Sequence, residues 1–114
     1  MSKSKYHKYV FDQENRILKG DFENMYKAEK INDFDSWNQD DVSLLDKQIC
    51  LKIVKELSFN TLLDVGCGKG ALTNLFKRKD NSVFGSDLSH EAVSIANERY
   101  KNIHFFTADV NRSD

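Results

Sequence analysis

The sequence predicts an α/β fold, and two features of the chain indicate it. From residue 61 onward, short apolar runs alternate with segments whose apolar residues recur at helical spacing. A glycine-rich turn joins the first apolar run to the helix after it. Strands that alternate with single helices are typical of a parallel sheet with helical crossovers. We therefore expect residues 61–110 to form three parallel strands of a Rossmann-like, doubly wound fold, preceded by helices.

Three strands and two helices are predicted in this part of the chain. The strands cover residues 61–65, 82–86 and 103–107, and the helices cover residues 71–79 and a segment that ends near residue 100. Ser89 is placed to cap the second helix with its hydroxyl.

One more helix is predicted ahead of the first strand. Ser43 and Asp46 have the spacing of a capping box at its start. Its apolar residues recur every four positions, at Leu45, Ile49, Ile53 and Leu57. This stripe is expected to face the core.

The first part of the chain is polar and aromatic without a sustained period. We expect one or two short helices there, one of them around residues 22–30. The chain is therefore divided into an amino-terminal segment, residues 1–42, that is a candidate lid, and a domain, residues 43–114. Candidate residues for a lid or a substrate wall are Tyr26, Trp37, Asp40 and Asp41.

Composition argues against several classes of partner. The 114 residues include 17 Lys and Arg against 18 Asp and Glu, a formal net charge of −1. Nucleic-acid and membrane surfaces usually select a basic excess, so we expect neither partner. No apolar run is long enough for a membrane span or a signal peptide, and the two cysteines, Cys50 and Cys67, are expected to be free thiols. These features predict a cytoplasmic protein.

The glycine-rich turn, residues 62–70 with the sequence LLDVGCGKG, is the strongest candidate site. Glycines at alternate positions permit positive φ and let a ligand approach the backbone at a helix N-terminus. A turn without a ligand is the alternative. A dinucleotide would fit the spacing of Gly66, Gly68 and Ala71, with Asp87 about 20 residues further on as a ribose acceptor. Asp64 argues against it, because a carboxylate at this strand end would repel a pyrophosphate and would suit a cationic ligand.

Three motifs, LLDVGCGKG, VFGSDLS and FFTADV, resemble those of the class I S-adenosylmethionine-dependent methyltransferases. Residues 62–70 match the family's first motif at every position. The resemblance implies S-adenosylmethionine as cofactor and transfer of its methyl group to an acceptor. The near-neutral charge favours a small molecule as that acceptor. A non-catalytic binding module and, less favoured, a nicotinamide-dependent oxidoreductase remain as alternatives.

The resemblance also implies roles for individual residues. Asp64 would help to hold the methionine portion, directly or through water, over a bed formed by Gly66, Cys67, Gly68 and Gly70. Asp87 would accept the ribose hydroxyls, and Asp109 would accept from the adenine amino group. Apolar contacts to the adenine ring would come from Leu88, Ala108 and Val110. The three acids follow three successive strands, whose carboxyl ends meet at one crevice.

Other residues receive no chemical role. The thiol of Cys67 is expected to be incidental, His104 to pack or face solvent, and Lys69 to be solvated. No catalytic residue and no metal ligand is assigned.

The resemblance implies a sheet of seven strands in which the fourth lies beside the first, whereas this sequence ends after the third. Either the sequence is a fragment of a longer protein, or it is a truncated product that binds the cofactor poorly. In both cases the first strand would be an exposed apolar edge, through which the chain could self-associate.

Overall fold

A computed structural model describes residues 7–112 and contains an antiparallel hairpin followed by a parallel sheet with helices. In chain order the elements are α1 (His7–Val10), β1 (Phe11–Asp12), β2 (Ile17–Leu18), α2 (Phe22–Asn32), a 3₁₀ turn (Ser36–Asn38), α3 (Leu45–Glu56), β3 (Thr61–Val65), α4 (Ala71–Leu75), β4 (Ser82–Asp87), α5 (His90–Arg99) and β5 (His104–Thr107). Among these helices there is none with the length and apolar composition that a membrane crossing requires.

The three predicted strands form one parallel sheet in the order β3-β4-β5. Leu62 lies opposite Val83, and Gly85 lies opposite Phe105, so the strands run in register without a bulge. Helix α4 connects β3 to β4, and α5 connects β4 to β5. The predicted α/β class, with three parallel strands preceded by helices, is confirmed.

The core lies where α5 packs against the sheet. Its buried side chains are Phe76, Val83, Val93, Ala96, Ile103 and Phe105. The ring of Phe105 lies directly against the backbone of Gly85, where an added Cβ would come within 2.6 Å of it. Since such a separation is not tolerated, a glycine is required in the middle of β4.

Helix α5 begins as predicted and also anchors the amino-terminal part of the chain. The hydroxyl of Ser89 accepts from the amide of Ala92, which confirms the predicted cap. Glu23 of α2 accepts from Ser89 Oγ at 2.9 Å and from the amide of Glu91 at 2.8 Å. A carboxylate at a helix N-terminus is favoured by the helix dipole, so α2 is fixed to the start of α5. The predicted helix around residues 22–30 is α2.

Helix α4 is shorter than predicted, ending at Leu75 rather than near residue 79. The side chain of Asn81 folds back on the chain, donating to the carbonyl of Phe76 at 3.0 Å and accepting from the amide of Arg78 at 2.8 Å. These bonds satisfy backbone groups that a longer helix would have used, so the buried asparagine ends the helix early.

Helix α3 has the predicted position, but its cap and its buried face were predicted wrongly. The hydroxyl of Ser43 donates to Asp41, and the cap residue is Leu44, which makes no side-chain cap. The apolar stripe at every fourth position is exposed, at 75% for Leu45, 51% for Ile49, 58% for Ile53 and 55% for Leu57. The residues that pack against the core are instead Cys50, Leu51 and Val54.

Candidate functional site

The carboxyl ends of the three parallel strands open into one cavity of about 510 Å³. Asp64, Asp87 and Asp109 all line it, so the structure brings the three predicted acids together. Among the described residues, the other predicted cofactor-binding residues that line it are Gly66, Cys67, Leu88, Ala108 and Val110. The cavity has the size of typical small-molecule sites.

Asp64 is half-buried at the end of β3. The hydroxyl of Thr73, a fully buried residue of α4, donates to its Oδ2 at 2.6 Å. Burial raises the pKa of Asp64, the hydrogen bond from Thr73 opposes that shift, and the charge of Asp87 adds to it. A carboxylate that is costly to ionise when buried is stabilised by a cation beside it, so this position favours a positively charged ligand group.

The glycine loop has no spare amide donors between residues 66 and 70. The amides of Gly66 and Cys67 both donate to the carbonyl of Ser86, at 2.7 and 2.9 Å. The next three amides donate to Asp87 Oδ2, to Gln39 Oε1 and to the carbonyl of Cys67, in that order. Because a pyrophosphate needs free donors, this loop is unsuited to the anionic ligand that its glycine spacing allowed.

The other two acids have oxygens available for a ligand. Asp87 accepts from the amide of Gly68 at 2.8 Å through one oxygen and from the amide of Ser89 at 3.0 Å through the other. Asp109 accepts from the amide of Asn111 at 2.9 Å. An ionised carboxylate can accept about four hydrogen bonds, so both retain acceptor capacity. The site is therefore rich in acceptors and suits a ligand that carries donors.

Gly68 and Gly70 do not line the cavity, and their roles are in packing. An added Cβ at Gly68 would clash with Gln39 Oε1, and one at Gly70 would lie 2.7 Å from the ring of Phe105. Both residues have positive φ, of 57° and 86°. Glycine is therefore needed to let the covering residues and the core approach the loop.

One wall of the cavity comes from residues 21–41, which we call the cover segment. Phe22, Tyr26, Trp37 and Gln39 from this segment line the cavity. Gln39 donates to the hydroxyl of Tyr26 at 2.7 Å and accepts from the amide of Lys69 at 3.1 Å. Burial raises the pKa of the Tyr26 phenol, which keeps it neutral. The cover segment thus closes the side of the cavity next to the glycine loop.

Lys69 is not solvated, contrary to the expectation from sequence. It is 5% exposed, and its ammonium group lies 2.9 Å from Glu29 Oε1, 2.7 Å from Asp35 Oδ1 and 3.5 Å from Asp40 Oδ2. Asp40 also pairs with Arg99 at 2.9 Å. A lysine is not stable in a buried position unless it is paired, and these carboxylates supply the partners.

Three residues near the site were missed by the sequence analysis. Thr73 orients Asp64, Gln39 covers the loop, and Lys47 of α3 holds the turn before it by donating to the carbonyls of Asn38, Gln39 and Asp41. A threonine in the first turn after a glycine loop is a signal that could have been used for Thr73. No local pattern marks Gln39, since its partners Tyr26 and Lys69 lie 13 and 30 residues away in the sequence.

The next residues are those that received no chemical role from the sequence, Cys67, His104 and Cys50. Burial, together with the charges of Asp87 and Asp64, raises the pKa of the Cys67 thiol to about 12, so it is not a nucleophile at neutral pH. His104 is exposed on β5 and stacks on Phe106. Both cysteines are free thiols.

Part of the chain is similar to known methyltransferases. Residues 62–114 match a family model described as a methyltransferase domain. Protein 235L of Invertebrate iridescent virus 6, provisionally named a methyltransferase, is 38% identical over 55 residues, which is 46% of this chain and 21% of that protein. Ribosomal RNA small subunit methyltransferase A of Mycoplasmopsis pulmonis (strain UAB CTIP) is 33% identical over 64 residues, 54% of this chain and 25% of that protein.

A solved structure shares the fold. The S-adenosylmethionine-dependent methyltransferase from Anabaena variabilis ATCC 29413 superimposes with a TM-score of 0.64 at 23% identity, covering 77% of this chain and 37% of that chain. The chain thus spans about a fifth to two fifths of the length of the proteins it resembles. Residues 62–114, which contain the glycine loop and all three acids, are therefore similar in sequence to a methyltransferase domain and in fold to an S-adenosylmethionine-dependent methyltransferase.

Proposed function

We propose that this chain binds S-adenosylmethionine in the cavity at the ends of β3, β4 and β5, and that the whole protein transfers the methyl group to a small-molecule acceptor. The observation that carries the proposal is the chemistry of the cavity. Three carboxylates face it, whereas the glycine-loop amides are already engaged.

The donors of S-adenosylmethionine match these acceptors. Its ammonium group would be held near Asp64, its ribose hydroxyls by Asp87 and its adenine amino group by Asp109. Leu88, Ala108 and Val110 line the cavity around Asp109 and would contact the adenine ring. The cofactor supplies an activated methyl group, so the protein has chiefly to bind it and position the acceptor. Gly66 and Cys67 would form the bed beneath the methionine portion.

A nicotinamide dinucleotide is the weaker candidate because the cavity offers acceptors rather than free donors. Its pyrophosphate would meet loop amides that already donate to other groups of the chain and would lie near Asp64, whose ionisation is already disfavoured by burial and by the charge of Asp87. An acceptor-rich cavity favours a ligand with donors and a positive charge.

A small-molecule acceptor is supported by charge. The chain has a formal net charge of −1, whereas nucleic-acid-binding surfaces are basic. The Mycoplasmopsis relative is named for ribosomal RNA, so RNA is the acceptor that the experiment must exclude. Two free thiols fit the reducing cytoplasm, where we propose that the protein acts.

Calorimetric titration tests the cofactor. We expect S-adenosylmethionine and S-adenosylhomocysteine to bind the chain and NAD not to bind. Asp87→Ala should weaken binding about tenfold to a hundredfold, since hydrogen bonds to a charged group contribute about 1.5–3 kcal/mol. Asp80→Ala, at an exposed acid outside the cavity, is the matched control and should leave affinity unchanged.

Two results would overturn the proposal. Binding of NAD with no binding of S-adenosylmethionine would exclude S-adenosylmethionine as the cofactor. Transfer of labelled methyl by the whole protein to RNA, and not to the low-molecular-mass fraction of a cell extract, would exclude a small molecule as the acceptor.

A further inference from the structure

We propose that Lys69 is a positioning residue that fastens the cover segment over the cofactor cavity and thereby slows cofactor release. This inference rests on the proposed function, because it concerns the same cavity. Backbone contacts between the glycine loop and a ligand do not require the side chain of Lys69. The proposal gives that side chain a role of its own.

The first step is the placement of the ammonium group. Lys69 belongs to the glycine loop, yet its three carboxylate partners, Glu29, Asp35 and Asp40, all belong to the cover segment. Glu29 is itself 4% exposed. These ion pairs therefore join the cover segment to the glycine loop, and the pair between Lys69 and Glu29 is shielded from solvent, where it is little screened by salt.

The second step is that the backbone of the same residue joins the segment too. The amide of Lys69 donates to Gln39 Oε1, and Gln39 donates to the hydroxyl of Tyr26. Gln39 and Tyr26 both line the cofactor cavity. Lys69 thus connects the ion pairs outside the cavity to the part of the cavity wall that Gln39 and Tyr26 form.

The third step concerns which part of the cover segment depends on Lys69. The beginning of α2 is fixed separately by Glu23 at the start of α5. The residues after α2 contain three non-glycine positions with positive φ, Asp33, Trp37 and Asn38. Such conformations persist only where the surroundings hold them, and the paired Asp35 lies between them.

The ionic contact is maintained at neutral pH. Burial alone would lower the pKa of Lys69, but its hydrogen bonds to Asp35 and Glu29 raise the pKa above the usual lysine value. Lys69 therefore remains a cation. The neighbouring Arg99, paired with Asp40, places a second positive charge beside the three carboxylates.

The sequence provides a direct probe of the segment. Trp37 is the single tryptophan of the chain and lies on the cover segment, in the cavity wall. Quenching of its fluorescence by acrylamide, in the absence of cofactor, reports how closely the segment is held. Stopped-flow displacement of S-adenosylhomocysteine then reports the release rate.

The variants are Lys69→Met, which removes the charge at similar length, and Asp35→Asn, which removes one partner that is 27% exposed. Lys30→Met is the matched control, because Lys30 lies on α2 with a side chain that is 70% exposed and its ion pair with Glu91 of α5, at 3.8 Å, is a surface pair that contributes little. We expect Trp37 to become more accessible in Lys69→Met, less so in Asp35→Asn and unchanged in Lys30→Met.

The release rate should follow the same order. If the segment is closed in only about a tenth of Lys69→Met molecules, the Kd rises about tenfold, and we expect most of that change in the dissociation rate. If Lys69 had only a structural role, Lys69→Met would lower the unfolding free energy without making Trp37 more accessible in the folded protein.

Unchanged quenching of Trp37 in folded Lys69→Met overturns the proposal, as does an equal change in Lys30→Met. If Lys69→Met does not fold, Asp35→Asn decides by the same two criteria. Failure of the wild-type chain to bind S-adenosylmethionine would refute the proposed function, whereas the quenching comparison would still decide whether Lys69 fastens the segment.

Discussion

Asp64 is unfavourable for the stability of the fold, and we expect it to be needed for ligand binding. Its half-buried carboxylate accepts from the hydroxyl of Thr73, and its partial burial raises its pKa. One hydrogen bond from a neutral hydroxyl does not replace the hydration that an ionised carboxylate loses on burial. A cation in the cavity would supply the missing stabilisation, which is why we expect Asp64 to serve binding rather than stability.

Asp64→Asn should therefore separate stability from affinity. The amide can still accept from Thr73, so we expect a higher free energy of unfolding at neutral pH, measured by urea denaturation. Affinity for S-adenosylmethionine should fall about tenfold or more, since a charged acceptor is replaced by a neutral one. Asp80→Asn, at an exposed position, should change neither quantity.

The same residue predicts a dependence on pH. The folded-state pKa of Asp64 lies above its unfolded value, so the folded chain holds more protons between the two values. Stability contributed by this group is then lost as the pH rises through that interval. We expect the stability difference between Asp64→Asn and wild type to be smallest below the interval and to grow across it. A difference that shrinks as the pH rises would contradict the assignment.

At the scale of the element, helix α3 shows why an apolar stripe alone does not identify a buried face. Leu45, Ile49 and Ile53 have the period of an amphipathic helix, yet they are exposed, and Cys50 and Val54 pack against the core. The helix carries apolar residues on two faces. Only the position of its neighbours decides which face is covered in this chain.

Alanine substitutions on the two faces test this assignment. We expect Val54→Ala to lower the unfolding free energy by about 1–2 kcal/mol through lost burial. Ile53→Ala removes a larger side chain but should stay within about 0.5 kcal/mol of wild type, because that side chain is 58% exposed. Urea denaturation of the two variants measures both values. The reverse order would show that the stripe predicted from sequence is the buried face.

At the scale of the whole molecule, the features that could be predicted from sequence are those that depend on short stretches of chain. The three strands, the cap at Ser89 and the convergence of Asp64, Asp87 and Asp109 follow from local patterns and from the geometry of parallel sheets. The pairing of Lys69 does not follow, because its partners lie 29 to 40 residues earlier in the sequence. Glycine spacing likewise allowed two ligands, and the hydrogen bonds of the loop amides to Ser86, Asp87 and Gln39 were needed to favour one of them.

The open side of the sheet has a consequence for the state of the chain in solution. Strand β3 is an edge of the described sheet, and its residues Leu63 and Val65 are 50% and 57% exposed. An exposed strand edge with apolar side chains can pair with another strand. We propose that isolated chains self-associate through β3.

Sedimentation velocity over a range of concentrations measures this association. We expect the wild-type chain to associate as its concentration rises, and Leu63→Lys to associate less, because a charge on the exposed face of the edge strand opposes pairing. Ile31→Lys is the control, since Ile31 is 82% exposed on α2, away from the sheet. A wild-type chain that stays monomeric at every concentration would contradict the proposal. An equal effect of the two lysines would show that general hydrophobicity, and not the open edge of β3, brings the chains together.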